Sequence, residues 1–134
     1  MKIFVDKNAE VIINLYTYYD KEKMLFWTKN NQSGKPEGID ETSPGVKTFT
    51  LVFRLPNYRD TTDFIDSGIQ LSVDGGMRVS SGAVSFGRFS KLLKSWDFKD
   101  DDGAIVPANA ENIGLLEPLV AQCIVEDLQK QISF

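Results

Sequence analysis

The sequence predicts an α+β fold in which N-terminal antiparallel β-strands, a hairpin plus a third strand, pack against three to four C-terminal α-helices. Residues 1–55 are rich in β-branched and aromatic side chains, which favour strands. Residues 57–134 instead repeat their apolar positions every three or four residues, as helices with one buried face do. Because 134 residues are enough to enclose a substantial core, we expect a single domain over 1–134.

The first predicted element is a β-hairpin. A run dense in Val, Ile and Tyr extends over residues 11–19, residues 20–23 are polar, and residues 24–28 resume the apolar pattern. Two such runs with a short polar connection favour an antiparallel pair. The tyrosines of the first run suit either a protein interface or a sheet face covered by helices: Tyr16, Tyr18 and Tyr19.

A long polar segment follows the hairpin. Residues 29–45 contain several Gly, Pro, Ser and Asn residues, and their single large apolar residue is Ile39. Such a composition cannot bury enough surface to offset the entropy lost on ordering, so we expect an exposed loop. Loops of this length are often functional, but a tolerated surface insertion explains the same composition.

The third strand and the first helix are predicted on either side of Pro56. Residues 46–55 alternate between two faces, and one of these faces carries large apolar side chains, as in a half-buried strand. Pro56 ends the run. Helical spacing then extends from residue 58 to about residue 71, and Asn57 is the predicted N-cap. We expect the Asp-Gly-Gly sequence at 74–76 to close this helix.

Two further helical patterns occupy the C-terminal part. From Met77 to Trp96 one apolar stripe recurs at steps of three and four, which predicts a helix of some five turns. An acidic turn over residues 97–103 follows, and a short helical turn is predicted to begin near Asn109. Because proline is tolerated in a first helical turn but not in a helix interior, we place the start of the last helix at Pro118. We therefore expect a helix, an acidic elbow, and a helix packed back on the first.

The composition argues against several classes of protein. A net charge of −4 with interspersed lysines disfavours nucleic-acid binding, which needs clustered cations to displace counterions. No apolar run approaches the roughly 18 residues that cross a bilayer, so we expect no membrane segment. Asp6 interrupts the first apolar residues, unlike the long apolar region of a signal peptide, and we expect a cytosolic protein.

The chain offers little catalytic chemistry. It has no histidine, which removes the commonest general base and metal ligand, and its single cysteine, Cys123, lies on an apolar stripe and is predicted to be a buried thiol. Asp100–Asp102 do not match a calcium loop, because Phe98 and Asn109 would occupy the first and last ligand positions. We predict a solvated turn there, with no metal, no cofactor and no enzyme activity. A carboxylate-dependent enzyme that uses Asp100–Asp102 is a third hypothesis.

Several short motifs resemble one known family. They are Lys91–Phe98, Asp102–Gly103, Val106–Pro107, Glu111–Ile113 with Leu115–Leu116, and Phe53–Tyr58 before an acidic helix. Together, over residues 48–132, they resemble the tail assembly chaperones of long-tailed bacteriophages. The N-terminal hairpin and the 29–45 loop are not part of the resemblance, which leaves a different phage morphogenesis or virion protein open.

The resemblance implies a non-enzymatic role in the host cytoplasm. Such chaperones bind the tape-measure protein, a very long apolar helix, and keep it soluble while tail-tube subunits polymerise around it. We expect the partner of this chain to be another phage structural protein, the tape-measure or tail-tube protein, and we leave self-association into a homo-oligomer open. The alternative is a structural virion or head–tail component whose β-rich half and 29–45 loop contact neighbouring subunits.

The predicted partner-binding residues surround the acidic turn. In this hypothesis they form an exposed apolar patch that docks a partner helix. The patch consists of Phe89, Leu93, Trp96, Phe98, Leu115, Leu116 and Val120. The alternative for Trp96 is a core anchor between two helices, because this residue completes a helical stripe.

Overall fold

The computed structural model describes residues 3–60, 62–63, 69–71, 77–79 and 81–132. An antiparallel sheet forms the N-terminal half and helices lie in the C-terminal part, which confirms the predicted α+β class. Residues 58–60 and 62–63 are helical. The remaining elements, in chain order, are β1 (Glu10–Asp20), β2 (Lys23–Thr28), β3 (Lys47–Arg54), β4 (Ile69–Leu71), β5 (Met77–Val79), α1 (Ser81–Leu92), β6 (Leu93–Trp96), α2 (Ala110–Gly114) and α3 (Pro118–Gln131).

The main sheet has the strand order β2-β1-β3-β6, and each neighbouring pair is antiparallel. β1 and β2 form the predicted hairpin, and the pairing of Asp20 with Lys23 leaves only two residues in its turn. The first of them, Lys21, has φ 60°, the left-handed conformation that two-residue hairpin turns favour. The predicted third strand is β3, which pairs with the other side of β1.

The core lies between one face of this sheet and the helices. Period-two alternation in β1 and β3 directs their large apolar residues to this face. The buried apolar cluster contains Val11, Ile13, Leu15, Leu51, Phe53, Phe89, Leu92, Trp96, Ile113, Val120, Ile124, Leu128 and Ile132. Phe53 of β3 meets Phe89 of α1 edge to face, with ring centroids 5.4 Å apart, so this pair joins the strand-rich and helical parts of the chain.

The predicted single helix from Met77 to Trp96 is wrong at both ends, because β5 precedes α1 and β6 follows it. Leu93 of β6 pairs with Phe53 of β3. Trp96 pairs with Leu51, so three residues of β6 span the length of two residues of β3. This β-bulge places Leu93 and Trp96 on the same face of the sheet. A bulged strand therefore imitates the i, i+3 spacing of a helix.

The predicted helix over residues 58–71 is right at its start and wrong at its end. Asn57 is the N-cap, since its side-chain oxygen accepts a hydrogen bond of 2.9 Å from the backbone N–H of Asp60. Asp60 is buried and accepts two hydrogen bonds from Arg54, at 2.5 and 2.9 Å, and this guanidinium lowers the pKa of the carboxyl group. Strand β4 replaces the predicted end of the helix, and the closing turn at 74–76 lies outside the described residues.

The acidic turn is the tip of a short hairpin and not an elbow between two helices. The backbone N–H of Val106 donates to the carbonyl of Phe98 at 2.8 Å. A carboxylate oxygen of Asp100 accepts two backbone N–H groups of the turn, and Gly103 supplies its left-handed residue with φ 82°. The predicted exposed acidic turn is confirmed, but β6 separates it from α1.

Both C-terminal helices begin as predicted. Asn109 caps α2, and its side-chain oxygen accepts a hydrogen bond of 2.9 Å from the backbone N–H of Asn112. Pro118 stands in the first turn of α3. The carboxylate of Glu117 caps this helix by accepting the N–H groups of two first-turn residues at 3.1 and 3.0 Å.

The 29–45 loop covers part of the sheet face that points away from the helices. Trp27 lies on that face beside Tyr16, with ring centroids 5.7 Å apart, yet only 1% of Trp27 is exposed. Gly45 of the loop sits close to Tyr18, since a Cβ placed on it would be 3.6 Å from the tyrosine ring. The loop therefore lies against the half-buried Tyr18.

Replacing Gly34 with alanine is expected to destabilise the fold. A Cβ on Gly34 would lie 2.4 Å from the carbonyl oxygen of Phe26 in β2, so loop backbone and strand backbone would have to separate. We expect a loss of about 1–3 kcal/mol in the free energy of unfolding, measured by urea denaturation. Gly114→Ala is the control, because its Cβ would meet the ring of Phe86 at an ordinary 3.8 Å. Equal stability of the two variants would contradict the close packing of the loop on β2.

Candidate protein-binding groove

An apolar groove lies between α1 and α3 and is bounded by α2. Its volume is about 450 Å³. Its apolar lining consists of Phe86, Phe89, Ile113, Ala121 and Val125. Its polar lining consists of Ser85, Gln122, Glu126 and Gln129. The two residues of the lining that are fully buried, Phe89 and Ile113, are apolar, so the base of the groove is continuous with the core.

Two phenylalanines form the α1 wall of the groove. Phe86 and Phe89 are three residues apart and therefore lie on one side of the helix. Phe89 is 1% exposed, whereas Phe86 is 44% exposed. The end of α2 lies beside the Phe86 ring, since a Cβ on Gly114 would be 3.8 Å from it. The groove consequently presents an aromatic side chain that the fold itself does not cover.

The α3 wall is formed by small and medium-sized side chains. Ala121 and Val125 are four residues apart, one turn along the helix, and both are half-buried. The larger apolar residues of α3, Val120, Ile124 and Leu128, point into the core. Ala121 and Val125 line the groove together with Phe86.

Among the described residues, Glu126 is the single ionisable one in the groove lining. One of its carboxylate oxygens accepts a hydrogen bond of 2.5 Å from the side-chain amide of Asn31, and the other accepts one of 3.0 Å from Gln122. Both donors are neutral. In the described part of the chain Glu126 forms no ion pair with lysine or arginine, so its negative charge is held in place but not neutralised.

The predicted partner-binding residues do not form one exposed patch. Phe89 lies at the base of the groove, whereas Leu93 and Val120 pack in or against the core. Leu116 is half-buried against the core. Leu115 is 77% exposed, and it is the one member of the predicted set that is openly accessible to a partner.

Trp96 and Phe98, also in the predicted patch, hold the acidic hairpin on the sheet. Trp96 is 7% exposed, and its indole N–H donates to the carbonyl of Val106 at 2.6 Å. Phe98 packs against the Trp96 ring and against Phe49 of β3, with centroid distances of 5.0 and 5.2 Å. Trp96 is therefore buried, as the core-anchor interpretation predicted, but it lies in strand β6 and not between two helices.

Most of the groove was missed by reasoning from the sequence. Phe86 stands on the apolar stripe of α1, but residue spacing does not show which member of a stripe stays exposed. Ala121 and Val125 stand beside the main stripe of α3. Only the way in which α1 and α3 pack brings these residues to one surface.

A buried carboxylate ties α3 to the start of the 29–45 loop. Asp127 is 1% exposed and accepts hydrogen bonds from the backbone N–H and the side-chain amide of Asn30, at 3.0 and 3.1 Å. It also accepts one of 2.6 Å from Gln131, and Lys130 donates to the Asn30 carbonyl at 2.6 Å. These four residues, the Asp127 cluster, hold the loop beside α3.

The Asp127 cluster keeps its carboxylate charged at neutral pH. Burial acts to raise the pKa of Asp127, but hydrogen bonds from Thr28, Gln131 and Asn30 together outweigh burial and leave the pKa lowered. Cys123, one turn earlier on α3, is buried, and burial raises the pKa of its thiol. The prediction of a buried thiol at Cys123 is therefore confirmed, and a raised pKa disfavours the reactive thiolate.

A second groove, of about 760 Å³, lies between the sheet and the acidic hairpin. Its charged lining has both signs: Lys47, Lys99, Asp97, Asp100 and Asp101. Asp97 accepts a hydrogen bond of 2.7 Å from the backbone N–H of Thr50, and Asp100 accepts two from its own turn. These two carboxylates are therefore engaged in holding backbone.

Neither a metal site nor a membrane segment is found among the described residues. No group of three or more His, Cys, Asp or Glu side chains there is placed to hold a metal ion. No helix within the same residues is long and apolar enough to cross a membrane.

The chain gives no significant match to known protein families, to curated proteins or to solved structures. The resemblance to tail assembly chaperones of bacteriophages therefore stays a prediction. What supports a function is the chemistry of the groove itself.

Replacing Asp127 with asparagine is expected to weaken the fold at neutral pH. One carboxylate oxygen becomes an amide group, so that an N–H donor faces another donor, and we expect a loss of about 1–3 kcal/mol. Because the folded-state pKa is lowered, the carboxylate stabilises the protein above its unfolded pKa of about 3.9, and this contribution is lost as the pH falls through the folded value. Urea unfolding should therefore show a gap between wild type and variant at pH 7 that narrows below about pH 4.

The control for this experiment is Asp101→Asn. Asp101 is an exposed acid of the hairpin tip, so we expect its variant to match the wild type at pH 7 within about 0.5 kcal/mol. A gap for the Asp127 variant that stays constant from pH 7 to pH 3 would contradict a charged carboxylate in the cluster.

Proposed function

We propose that this chain is a non-enzymatic morphogenesis protein of a bacteriophage, a tail assembly chaperone whose groove binds apolar helical segments of the tape-measure protein. The observation that carries the proposal is the groove between α1 and α3, where Phe86 is left 44% exposed beside an apolar base. Exposed apolar surface next to a concave site is typical of protein-binding sites.

The shape of the groove favours a helix as its occupant. Two helices that pack against each other leave a furrow on their outer side, and a third helix can lay one row of side chains into it at an interaxial distance of about 8–10 Å. Such helix-in-groove binding uses residues spaced i, i+3, i+4 and i+7 on one face of the guest. The apolar lining of the groove matches that kind of face.

The chemistry of assembly explains why such a groove is useful. An unassembled amphipathic helix aggregates unless its apolar face is covered. A small protein of net charge −4 that covers this face also adds repulsion between complexes, which keeps them in solution. We place this activity in the host cytoplasm, before the tail tube polymerises.

Other exposed apolar residues favour a second candidate function, a structural virion or head–tail component. Ile3 is 83% exposed and Phe4 is 87% exposed, and both lie at the start of the chain, away from the groove lining. Repeated subunit contacts would cover such residues. The two functions differ in where the protein ends up: mass spectrometry of purified particles should find a structural component in stoichiometric amount and should not find a chaperone.

Replacing Phe86 with aspartate is expected to abolish binding of the apolar helix. The change puts a charge where apolar surface would be buried, which costs several kcal/mol in a dry contact. We expect the soluble fraction of the co-expressed tape-measure protein of the same phage to fall at least tenfold relative to the wild type, a difference of about 1.4 kcal/mol or more. The measurement is the amount of tape-measure protein left in the supernatant after centrifugation.

The matched control is Tyr58→Asp. Tyr58 is also an exposed aromatic residue, at 89%, and lies outside the groove lining, so this variant should keep the tape-measure protein soluble. Equal solubility with the Phe86 and Tyr58 variants would contradict the proposal that the groove is the binding site.

A further inference from the structure

We infer that the groove selects apolar helices that carry a lysine or arginine beside their apolar face, and that Glu126 is the residue that selects them. This inference rests on the proposed function, namely that the groove binds a helix of another protein. The inference adds the charge pattern of the partner and names Glu126 as the residue that recognises this pattern.

The charge of the groove carries the inference. Nine described residues line the groove, and Glu126 is the single ionisable one among them; the other polar members are neutral serine and glutamine side chains. Within the described chain the two donors to its carboxylate are also neutral. A partner that covers the groove would bury part of this uncompensated charge, so a cation on the partner is favoured over a neutral or acidic group.

The position of Glu126 determines where the partner's cation must lie. Along α3, Leu119, Gln122, Glu126 and Gln129 follow one another at steps of three and four, so they form one row beside the apolar base. Leu119 is 61% exposed and extends the apolar surface one turn beyond the groove. A guest helix on this row would meet apolar surface first and the carboxylate about two turns later.

The carboxylate of Glu126 is oriented before a partner arrives. Asn31 holds one oxygen and Gln122 holds the other, and Asn31 belongs to the loop segment that the neighbouring Asp127 cluster fixes on α3. A group that is already held in place loses less entropy on binding. Each carboxylate oxygen can accept a second hydrogen bond, so a partner cation can bind without displacing either amide.

The test uses two synthetic helical peptides with the same apolar face. One peptide carries lysine, and the other glutamate, at the positions that flank this face. Isothermal titration calorimetry at low salt should show that the wild type binds the lysine peptide about tenfold more tightly than the glutamate peptide. Glu126→Lys should reverse the preference, and Glu126→Gln should remove it.

A control variant separates the local charge from the net charge of the protein. Glu22→Lys changes the net charge by the same amount, but Glu22 lies in the exposed turn between β1 and β2, outside the groove lining. We expect it to keep the wild-type preference. Thermal unfolding of each variant shows whether it is folded. If Glu126→Lys does not fold, Glu126→Gln tests the inference in its place, because it should remove the preference.

The outcomes distinguish this inference from the proposed function. If the wild type binds both peptides equally, and Phe86→Asp abolishes both, the groove binds helices but Glu126 does not select them. If Glu22→Lys reverses the preference as Glu126→Lys does, net charge and not Glu126 is responsible, and the inference is overturned. If the wild type binds neither peptide, the proposed function fails, and the inference fails with it.

Discussion

The structure depends on one constraint, which is that β1 and β2 carry bulky side chains on both faces of the sheet. The described helices pack on the face that bears Ile13 and Leu15. Trp27, on the other face, would leave a large aromatic surface in water, and burying such a side chain stabilises the fold by roughly 1.5–3 kcal/mol. On this face Gly45 of the 29–45 loop lies close to the ring of Tyr18. A segment with almost no apolar residues thus packs on the sheet.

Since the loop has little apolar surface of its own, polar contacts must hold it in place. The Asp127 cluster provides them: a buried carboxylate accepts hydrogen bonds from Gln131 and from Asn30, and Asn30, at the start of the loop, donates two. Hydrogen bonds to a charged group are about twice as strong as neutral ones, so a few suffice. The same helix, α3, forms one wall of the groove. The cover of one sheet face and the shape of the candidate binding site therefore both depend on how α3 is placed.

The sequence predicted the parts of the fold that follow from local pattern. The hairpin, the third strand, the cap at Asn57 and the helix start at Pro118 each depend on residues close together in the chain, and each is confirmed. The prediction of one helix from Met77 to Trp96 is wrong because the spacing of its last residues fits both a helix and a bulged strand. The stripe continues through Leu93 and Trp96, but a β-bulge satisfies the same spacing, and pairing with β3 overrides helix propensity. The choice between helix and strand depends on the edge of β3 that β1 leaves unpaired, and the local sequence does not show this edge.

The groove was harder to predict than the fold, because its residue types are those of the core. Phe86 and Phe89 are identical in type and three residues apart, yet one is 44% exposed and the other is 1% exposed. Phe89 packs against Phe53 in the core, whereas Phe86 lines the open groove. Helix spacing predicts which residues share a side, but not how much of that side a neighbouring helix covers. A binding surface made of apolar side chains is therefore distinguished from a core by packing alone. Glu126 is recognisable once packing has placed it at the edge of an apolar groove, because among the described residues it has no lysine or arginine as an ion-pair partner.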